Sequence, residues 1–312
     1  MVGGEAGLQM HYCVADVALV LAGGRGRRFG FDKLSIRINS GTLLEHVVGL
    51  ANRIARKVYL SVADPTRYVM FSERLLVDLE QLPCSGPARS LATFSLVSLD
   101  WWRVAIVPGD ALYLKPELYT RLLELLDVFN VQAATVLHDV WVGPLITVYV
   151  GSVFKHALRA CRLRKWLSRA SDMLRLADPL LLVGVGIAAS DPIEIVTLNR
   201  VEDLVWPKPP KRDNRLILLE GHANLFLEAL DRLEANDVVG AAKTHLIEAR
   251  VYRDYGISHL EAQTLIDACK LDRQALDHEH LKRLATLSEA LGGKIGGEAR
   301  ECLGGYVEQS RG

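Results

Sequence analysis

Short apolar runs alternate with longer amphipathic stretches from Val17 to about Leu204. Apolar runs of about four to eight residues bounded by turn residues are typical of buried strands, and apolar residues at helical spacing are typical of helices. The strands predicted in this way are residues 17–21, 57–62, 75–78, 103–107, 133–137, 145–150, 181–185 and 193–196. The predicted helices are residues 43–56, 86–99, 116–129 and 153–169. This alternation predicts an α/β fold with a doubly wound, mostly parallel sheet.

The pattern changes at a proline-rich stretch, Trp206-Pro207-Lys208-Pro209-Pro210-Lys211-Arg212. Prolines stiffen the backbone and remove N–H donors, so the stretch is typical of a linker. Beyond it no strand pattern returns, and apolar positions recur at helical spacing, which predicts helices at about residues 215–234, 236–255, 257–269, 274–291 and 296–308. We therefore predict an N-terminal extension (residues 1–15), an α/β domain (16–206), a linker (207–213) and a separate all-α helical bundle (214–312).

Composition excludes several classes of partner. Lys and Arg together number 37, as do Asp and Glu, so the overall charge gives no reason to expect nucleic acid, and any basic site is local. No apolar run approaches the roughly 18 residues of a membrane span, and the N-terminus lacks the basic-then-apolar pattern of a signal peptide. The five cysteines are scattered and form no Cys-x-x-Cys pair, which predicts reduced thiols in a cytoplasmic protein and no zinc module.

The segment after the first predicted strand carries the strongest chemical signal. It runs Leu21-Ala22-Gly23-Gly24-Arg25-Gly26-Arg27-Arg28-Phe29-Gly30-Phe31-Asp32-Lys33. Its glycines let the backbone turn tightly and bring N–H groups close to an anion, and its basic residues add positive charge there. Such a loop suits a triphosphate whose pyrophosphate leaves, because negative charge develops at that point in the transition state. The glycine spacing fits neither the dinucleotide-binding fingerprint nor the P-loop.

This segment resembles the Leu-Ala-Gly-Gly-x-x-x-Arg-x-Gly-x-Asp-Lys signature of the MobA-like nucleotidyltransferases, which have a Rossmann-like fold. That family includes molybdenum cofactor guanylyltransferase and the archaeal adenosylcobinamide-phosphate guanylyltransferase. The matching positions are Leu21, Ala22, Gly23, Gly24, Arg28, Gly30, Asp32 and Lys33. The resemblance, which spans about residues 16–205, implies a nucleotide-binding loop made of Leu21, Ala22, Gly23, Gly24, Arg25, Gly26, Gly30 and Lys33. It also implies catalytic roles for Arg28 and Lys33, and the Gly23-Gly24 pair favours guanine.

Asp110 is the predicted metal ligand. It follows an apolar strand in Val107-Pro108-Gly109-Asp110, and the carboxyl ends of such strands are where α/β sheets bind ligands. A carboxylate there suits Mg²⁺, although a turn or helix-capping aspartate is an equally good interpretation of position alone. The resemblance favours a catalytic and metal-binding Asp110. It also places Asn199, in a segment similar to the family's Asn-Thr-Pro-Glu-Asp-Leu, near a second metal position.

Three further positions are predicted to contact the nucleoside. Gly86 and Pro87 resemble the family's Gly-Pro-Leu-Ala-Gly segment, and Asp78 resembles an aspartate that ends the third strand. A plain loop with proline at the start of a helix, and a strand-ending aspartate, are the alternatives. Gly143-Pro144-Leu145 resembles a His-Pro-Leu segment on the side of the acceptor substrate.

Together these features predict a Mg²⁺-dependent enzyme that moves GMP from GTP to a phosphorylated cofactor precursor, with molybdopterin preferred. Adenosylcobinamide phosphate or a sugar-1-phosphate is the alternative acceptor. A non-catalytic GTP-binding scaffold or sensor is the alternative of another class, because residues 88–90 and 111–112 depart from the family pattern. We expect the C-terminal helices to serve packing, homo-oligomerisation or partner docking. Their histidines are predicted to be core and surface residues rather than metal ligands: His222, His245, His259, His278 and His280.

Overall fold

The computed structural model of the protein describes residues 14–23, 32–38, 41–97 and 103–304. Within them the main sheet has eight strands: β1 (Ala15–Leu21), β4 (Ala55–Val62), β5 (Leu75–Val77), β6 (Arg103–Pro108), β7 (Ala133–His138), β8 (Trp141–Val150), β9 (Leu180–Gly184) and β10 (Leu216–Leu219). Their spatial order is β10-β9-β7-β8-β6-β1-β4-β5. Strand β8 runs antiparallel to β6 and β7, and β10 runs antiparallel to β9. Two short strands, β2 (Arg37–Ile38) and β3 (Gly41–Thr42), form a small separate ladder.

The α-helices of the first part of the chain are α1 (Leu43–Ile54), α2 (Pro87–Phe94), α3 (Pro116–Val128), α4 (Ala157–Arg164), α5 (Asp172–Leu176) and α6 (Val185–Ala188). Those of the C-terminal part are α7 (His222–Glu234), α8 (Val238–Asp254), α9 (Ser258–Leu271), α10 (His278–Leu291) and α11 (Gly293–Leu303). Helix α1 begins at a capping box, in which Thr42 Oγ1 accepts a hydrogen bond from the Glu45 amide and the Thr42 amide donates to the Glu45 carboxylate.

Both faces of the sheet are buried, as the doubly wound prediction requires. Alternate residues of β1 point to opposite sides, so Val20 packs in a core with α1 and α3, while Leu19 packs in a second core with α2. The second core also contains Phe226 of α7 and Tyr252 of α8. The predicted fold class is therefore confirmed, and helices α7 and α8 contribute side chains to a core that they share with the sheet.

A buried ionic network also joins the two parts of the chain. The Arg175 Nε atom of α5 donates to Glu248 Oε1 of α8 at 2.7 Å, and Arg164 Nη2 of α4 donates to Asp267 Oδ2 of α9 at 2.6 Å. All four side chains are fully buried. Because an unpaired buried charge is strongly destabilising, each part needs the other to hold these groups.

Three predictions about secondary structure are wrong. Residues 193–196 are not a strand, since Pro192–Ile195 is a 3₁₀ turn capped by Asp191. The long helix at residues 153–169 is divided into a 3₁₀ turn (Gly151–His156), α4 and a second 3₁₀ turn (Lys165–Leu167). A strand does return after the proline-rich stretch, because β10 continues the sheet at its edge.

The prediction of reduced thiols is also wrong. Disulfides link Cys84 to Cys161 and Cys269 to Cys302. The partners are 77 and 33 residues apart, so only the folded chain brings them together. Cys13 lies outside the described residues. In the part of the chain that the structure describes, every helix is too short or too polar to cross a bilayer.

Candidate active site

A backbone hydrogen bond and a close contact join the ends of β1 and β6 at the carboxyl edge of the sheet. The Gly109 amide donates to the Leu21 carbonyl at 3.1 Å, and a Cβ at Gly109 would lie only 2.7 Å from that oxygen. A side chain at position 109 would therefore force the two strands apart. This contact between Gly109 and Leu21 places Asp110 beside the start of the glycine-rich loop. Parallel α/β sheets bind their ligands at this edge.

A cavity of about 170 Å³ opens at this edge. Its lining brings together residues singled out in five separate sequence segments, with Leu34 and Ser90 in addition: Leu21, Gly23, Lys33, Leu34, Asp78, Gly86, Pro87, Ser90, Pro108, Gly109, Asp110 and Leu145. Ala22, the remaining described residue of the predicted loop, is buried, and its amide donates to the Ser61 carbonyl at 2.8 Å.

Lys33 and Asp110 form an ion pair inside this cavity. The two side chains are 18% and 19% exposed, so both are shielded from bulk water yet reachable from the cavity. Lys33 Nζ also donates to the Leu198 carbonyl at 3.1 Å. This arrangement offers an ammonium group to phosphate oxygens and a carboxylate to a cation, both at one point.

Asp32 fixes the backbone from which Lys33 projects. Its carboxylate accepts hydrogen bonds from the Leu34 amide at 3.1 Å and from the Tyr68 hydroxyl at 3.1 Å, and it pairs with Arg67 Nη2 at 2.5 Å. Burial, reinforced by Asp32, raises the pKa of Tyr68 to about 12, so the phenol keeps its proton and remains a donor. Tyr68 and Arg67 were not predicted, because nothing in their local sequence pattern indicates a partner about 35 residues away.

Asp78 also lines the cavity. Its carboxylate accepts hydrogen bonds from Ser61 Oγ at 2.5 Å and from Ser90 Oγ at 2.9 Å. Burial raises the pKa of Asp78, while the two serine hydroxyls and nearby Arg89 oppose that rise. Ser90 belongs to the segment that departs from the family pattern. In the structure its hydroxyl donates to Asp78, which lines the cavity.

Gly86 and Pro87 lie beside Asp78. Gly86 has a positive φ of 57°, which favours glycine, and Pro87 occupies the first turn of α2, where its missing N–H costs nothing. The predicted nucleoside residues therefore lie on one wall of the cavity.

The remaining predicted residues fall into two groups. Gly24, Arg25, Gly26, Arg28 and Gly30 lie outside the described residues. Asn199 lines a neighbouring groove, and its side-chain amide donates to the Thr197 carbonyl and hydroxyl at 3.3 Å.

The described residues contain no cluster of three or more His, Cys, Asp or Glu side chains suited to a metal. Three histidines of the C-terminal helices lie in the core, as predicted: His222, His245 and His259. Each of them forms a hydrogen bond with another group of the protein. His278 and His280 lie at the start of α10.

Comparison with known proteins points to one family. The sequence model described as "MobA-like NTP transferase domain" matches residues 18–178. A "Probable molybdenum cofactor guanylyltransferase" of Pyrococcus horikoshii is 36% identical over 106 residues, which is 32% of this chain and 51% of that protein. A protein of the same description from Geobacillus sp. (strain WCH70) is 26% identical over 135 residues, which is 42% of this chain and 68% of that protein. The match thus spans about half the length of the first relative.

A solved structure shows the same fold. The crystal structure of molybdopterin-guanine dinucleotide biosynthesis protein A from Archaeoglobus fulgidus superposes with a TM-score of 0.50 at 19% identity. The superposition covers 60% of this chain and 94% of that one.

Proposed function

The chain belongs to the MobA-like NTP transferase family, and we propose that it transfers GMP from GTP to a phosphorylated cofactor precursor, releasing pyrophosphate. One observation carries the proposal: Lys33, Asp78 and Asp110, from three distant segments, line a single cavity at the carboxyl edge of the sheet. The descriptions of the two relatives support molybdopterin as the preferred acceptor.

The nucleoside is assigned to the wall formed by Asp78, Gly86 and Pro87. A carboxylate held by Ser61 and Ser90 presents a fixed acceptor to ring N–H groups or ribose hydroxyls. Gly23 packs close to it, since a Cβ there would lie 3.3 Å from Asp78 Oδ2. The Gly23-Gly24 pair and the names of the relatives favour guanine over other bases.

The phosphates are assigned to Lys33 and to the preceding loop, including Arg28. An oxygen of the acceptor's phosphate monoester attacks the α-phosphorus of GTP, a new P–O bond forms, and the bond to the β-phosphate oxygen breaks. The attacking oxygen is already ionised, so no protein nucleophile or strong base is needed. Positioning and charge neutralisation then supply the rate enhancement, and an ammonium at the Lys33 position serves both.

Asp110 fits a bound Mg²⁺. A hard cation of this kind takes one or two carboxylates and completes its shell with substrate phosphates and water, which agrees with a single part-buried carboxylate in a phosphate-sized cavity. When bound, Mg²⁺ would neutralise charge on the phosphate oxygens. Asn199 is the proposed second ligand of the metal, and its side chain lies in the neighbouring groove.

Pyrophosphate release tests the proposal directly. The protein is incubated with each NTP, Mg²⁺ and one of three acceptors: molybdopterin, adenosylcobinamide phosphate or a sugar-1-phosphate. We expect release with GTP and molybdopterin. Binding of GTP with no release for any acceptor would instead support the non-catalytic sensor. We further propose an enzyme without nucleic-acid or membrane partners, whose C-terminal helices mediate homo-oligomerisation.

A further inference from the structure

The segment 78–86 connects β5 to α2, and we call it the wall loop. Asp78 at its start and Gly86 at its end both line the cavity that contains the Lys33–Asp110 pair. Between these two ends the backbone forms only turns and bends. A segment of this kind has many accessible conformations unless other groups fix it. The shape of the proposed nucleoside wall therefore depends on the contacts that hold the wall loop.

Helix α2 holds the wall loop from one side. Arg89 Nε donates to the Cys84 carbonyl at 2.9 Å, and Arg89 Nη2 donates to the Leu82 carbonyl at 3.3 Å. The Leu79 amide donates to Thr93 Oγ1 at 3.1 Å. All three bonds go to the helix that the loop leads into. They fix the shape of the loop relative to α2, and its position relative to the rest of the protein depends on other contacts.

The disulfide between Cys84 and Cys161 connects the wall loop to a different helix, α4. Both cysteines are fully buried, and they share a small apolar core with Leu82 of the same loop. Cys84 lies two residues before Gly86 in the sequence. The crosslink therefore acts on the part of the loop that leads directly into the cavity lining.

Helix α4 is itself firmly held by the C-terminal helices. The fully buried Arg164 side chain donates from Nη2 to Asp267 Oδ2 of α9 at 2.6 Å. Arg159 Nη2 donates to Asp231 Oδ1 of α7 at 2.7 Å. Separating a buried ion pair leaves an uncompensated charge, so α4 resists displacement. Cys161 lies between the two arginines, and the disulfide thus ties the wall loop to a fixed point.

We propose that the Cys84–Cys161 disulfide is a positioning element of the nucleotide site, which holds the nucleoside wall in its binding shape against α4. The inference rests on the proposed function, because it takes the wall formed by Asp78, Gly86 and Pro87 as the place of the nucleoside. A site that has its binding shape for only a fraction of the time binds its ligand more weakly by that fraction. Without the crosslink, binding of the nucleoside weakens, whereas binding of phosphates at Lys33, on another segment, does not change.

The test compares the two disulfides in the full-length protein. The bond between Cys269 and Cys302 is the matched control, because it is also buried and the described lining of the cavity contains no residue of the two helices that it joins, α9 and α11. We expect Cys84→Ser, Cys161→Ser to raise the dissociation constant of GTP about tenfold, which corresponds to a wall in its binding shape about a tenth of the time. Cys269→Ser, Cys302→Ser should leave that constant unchanged.

Equilibrium dialysis with GTP and Mg²⁺, without an acceptor, measures the binding. It is carried out at a temperature at which thermal unfolding shows that all the proteins are folded. Equal binding of GTP by the wild type and both double variants, or none by any of them, would overturn the proposal. An equal weakening in both double variants would overturn it as well.

Inorganic tripolyphosphate separates positioning of the nucleoside wall from a general loosening of the protein. It carries phosphates but no nucleoside, so we expect the wild type and Cys84→Ser, Cys161→Ser to bind it equally in the presence of Mg²⁺. Weakening of tripolyphosphate binding by the same factor as GTP binding would show a merely structural disulfide and would contradict the proposal.

A second variant, Cys84→Ala, Cys161→Ala, covers the case in which buried serine hydroxyls prevent folding, since alanine suits the apolar core around this bond. It also lacks the crosslink, so the same loss of GTP binding is expected, and wild-type binding by it would overturn the proposal. Pyrophosphate release is recorded with the same proteins. The expected pattern of GTP binding without release for any acceptor would reject the proposed transfer and leave the role of the disulfide supported.

Discussion

The ammonium group of Lys33 contacts the carboxylate of Asp110, although 77 positions separate them in the sequence. One residue ends the glycine-rich loop segment and the other follows the central strand β6. The contact therefore joins the predicted phosphate-binding and metal-binding parts of the site. It also connects the site to Leu198, whose carbonyl accepts a second hydrogen bond from Lys33 at 3.1 Å.

Replacing Lys33 tests the assignment of the phosphates. We expect Lys33→Ala to lower kcat about 100- to 1000-fold, as is typical when one group that stabilises transition-state charge is lost. The stability cost should be only about 1 kcal/mol, because water in the open cavity can solvate the released Asp110 carboxylate. Pyrophosphate release and thermal unfolding measure the two effects. Lys294→Ala, an 84% exposed lysine on α11, is the matched control and should keep full activity. Wild-type turnover by Lys33→Ala would remove this lysine from the site.

Replacing Asp78 tests the nucleoside wall through its pH dependence. Burial raises the folded-state pKa of Asp78 above its ordinary value of 3.8, so the folded protein binds this proton more tightly than the unfolded chain. This group's contribution to stability is therefore fully present below about pH 3.8 and declines as the pH rises through the folded-state pKa. We expect Asp78→Asn to gain stability relative to the wild type at pH 7 but not at pH 3, while binding GTP more weakly.

Urea unfolding at the two pH values and GTP titration at pH 7 check this prediction. Glu117→Gln, which removes an exposed carboxylate in the first turn of α3, is the control and should change neither property. Tighter GTP binding by Asp78→Asn would contradict the assignment of the nucleoside.

Sequence patterns predicted this sheet well because buried parallel strands are continuous apolar runs. The predictions failed where two local signals in the sequence conflict. Residues 193–196 are apolar enough for a strand, but Asp191 and Pro192 start a turn there. The apolar residues of β10 continue the helical spacing of the apolar residues in α7, so the sequence shows no boundary between strand and helix. In the structure, Gly221 with its positive φ of 77° separates the two.

The site was predictable where a residue belongs to a contiguous motif, as Lys33 does. Ser90, Tyr68 and Arg67 carry no such motif, because their roles depend on partners that the fold brings close. The cysteine pairs were missed for the same reason, since Cys84 and Cys161 become neighbours only when α2 packs beside α4.

Thiol titration tests the disulfides. The chain has five cysteines, and the two disulfides use four of them, so unfolded, unreduced protein should show about one free thiol. The double variant Cys84→Ser, Cys161→Ser should lose roughly 2–4 kcal/mol of stability, because the crosslink restricts the unfolded chain. A count of five thiols in the unreduced protein would contradict the pairing.

The buried network between α5 and α8 should behave differently from surface ion pairs. Burial alone would raise the pKa of Glu248, but Arg175 and His245 outweigh it and hold that pKa at about 2. We expect Glu248→Gln to cost roughly 3–5 kcal/mol at pH 7, because it removes the charge that two N–H groups of the buried Arg175 side chain face, while Asp172 and Asp267 contact only its third nitrogen. Glu279→Gln removes the exposed partner of Arg253 and should cost less than about 1 kcal/mol.

The pH dependence of the wild type gives a second check on this network. A depressed pKa means that the contribution of Glu248 is present above its ordinary value of 4.5 and is lost as the pH falls toward about 2. The stability difference between the wild type and Glu248→Gln should therefore shrink across that window. A difference that stays constant down to pH 2 would show that the ion pair is not its source.

Transfer of label from GTP to the acceptor would show GMP transfer by this chain directly. GTP labelled at the α-phosphorus is incubated with Mg²⁺, molybdopterin and either the wild type or Asp110→Asn, and the acceptor is separated and counted. We expect label in the acceptor with the wild type, in equal amount to the pyrophosphate released, and about 100-fold less with a folded Asp110→Asn. Unlabelled acceptor with the wild type, or undiminished transfer by Asp110→Asn, would contradict the account.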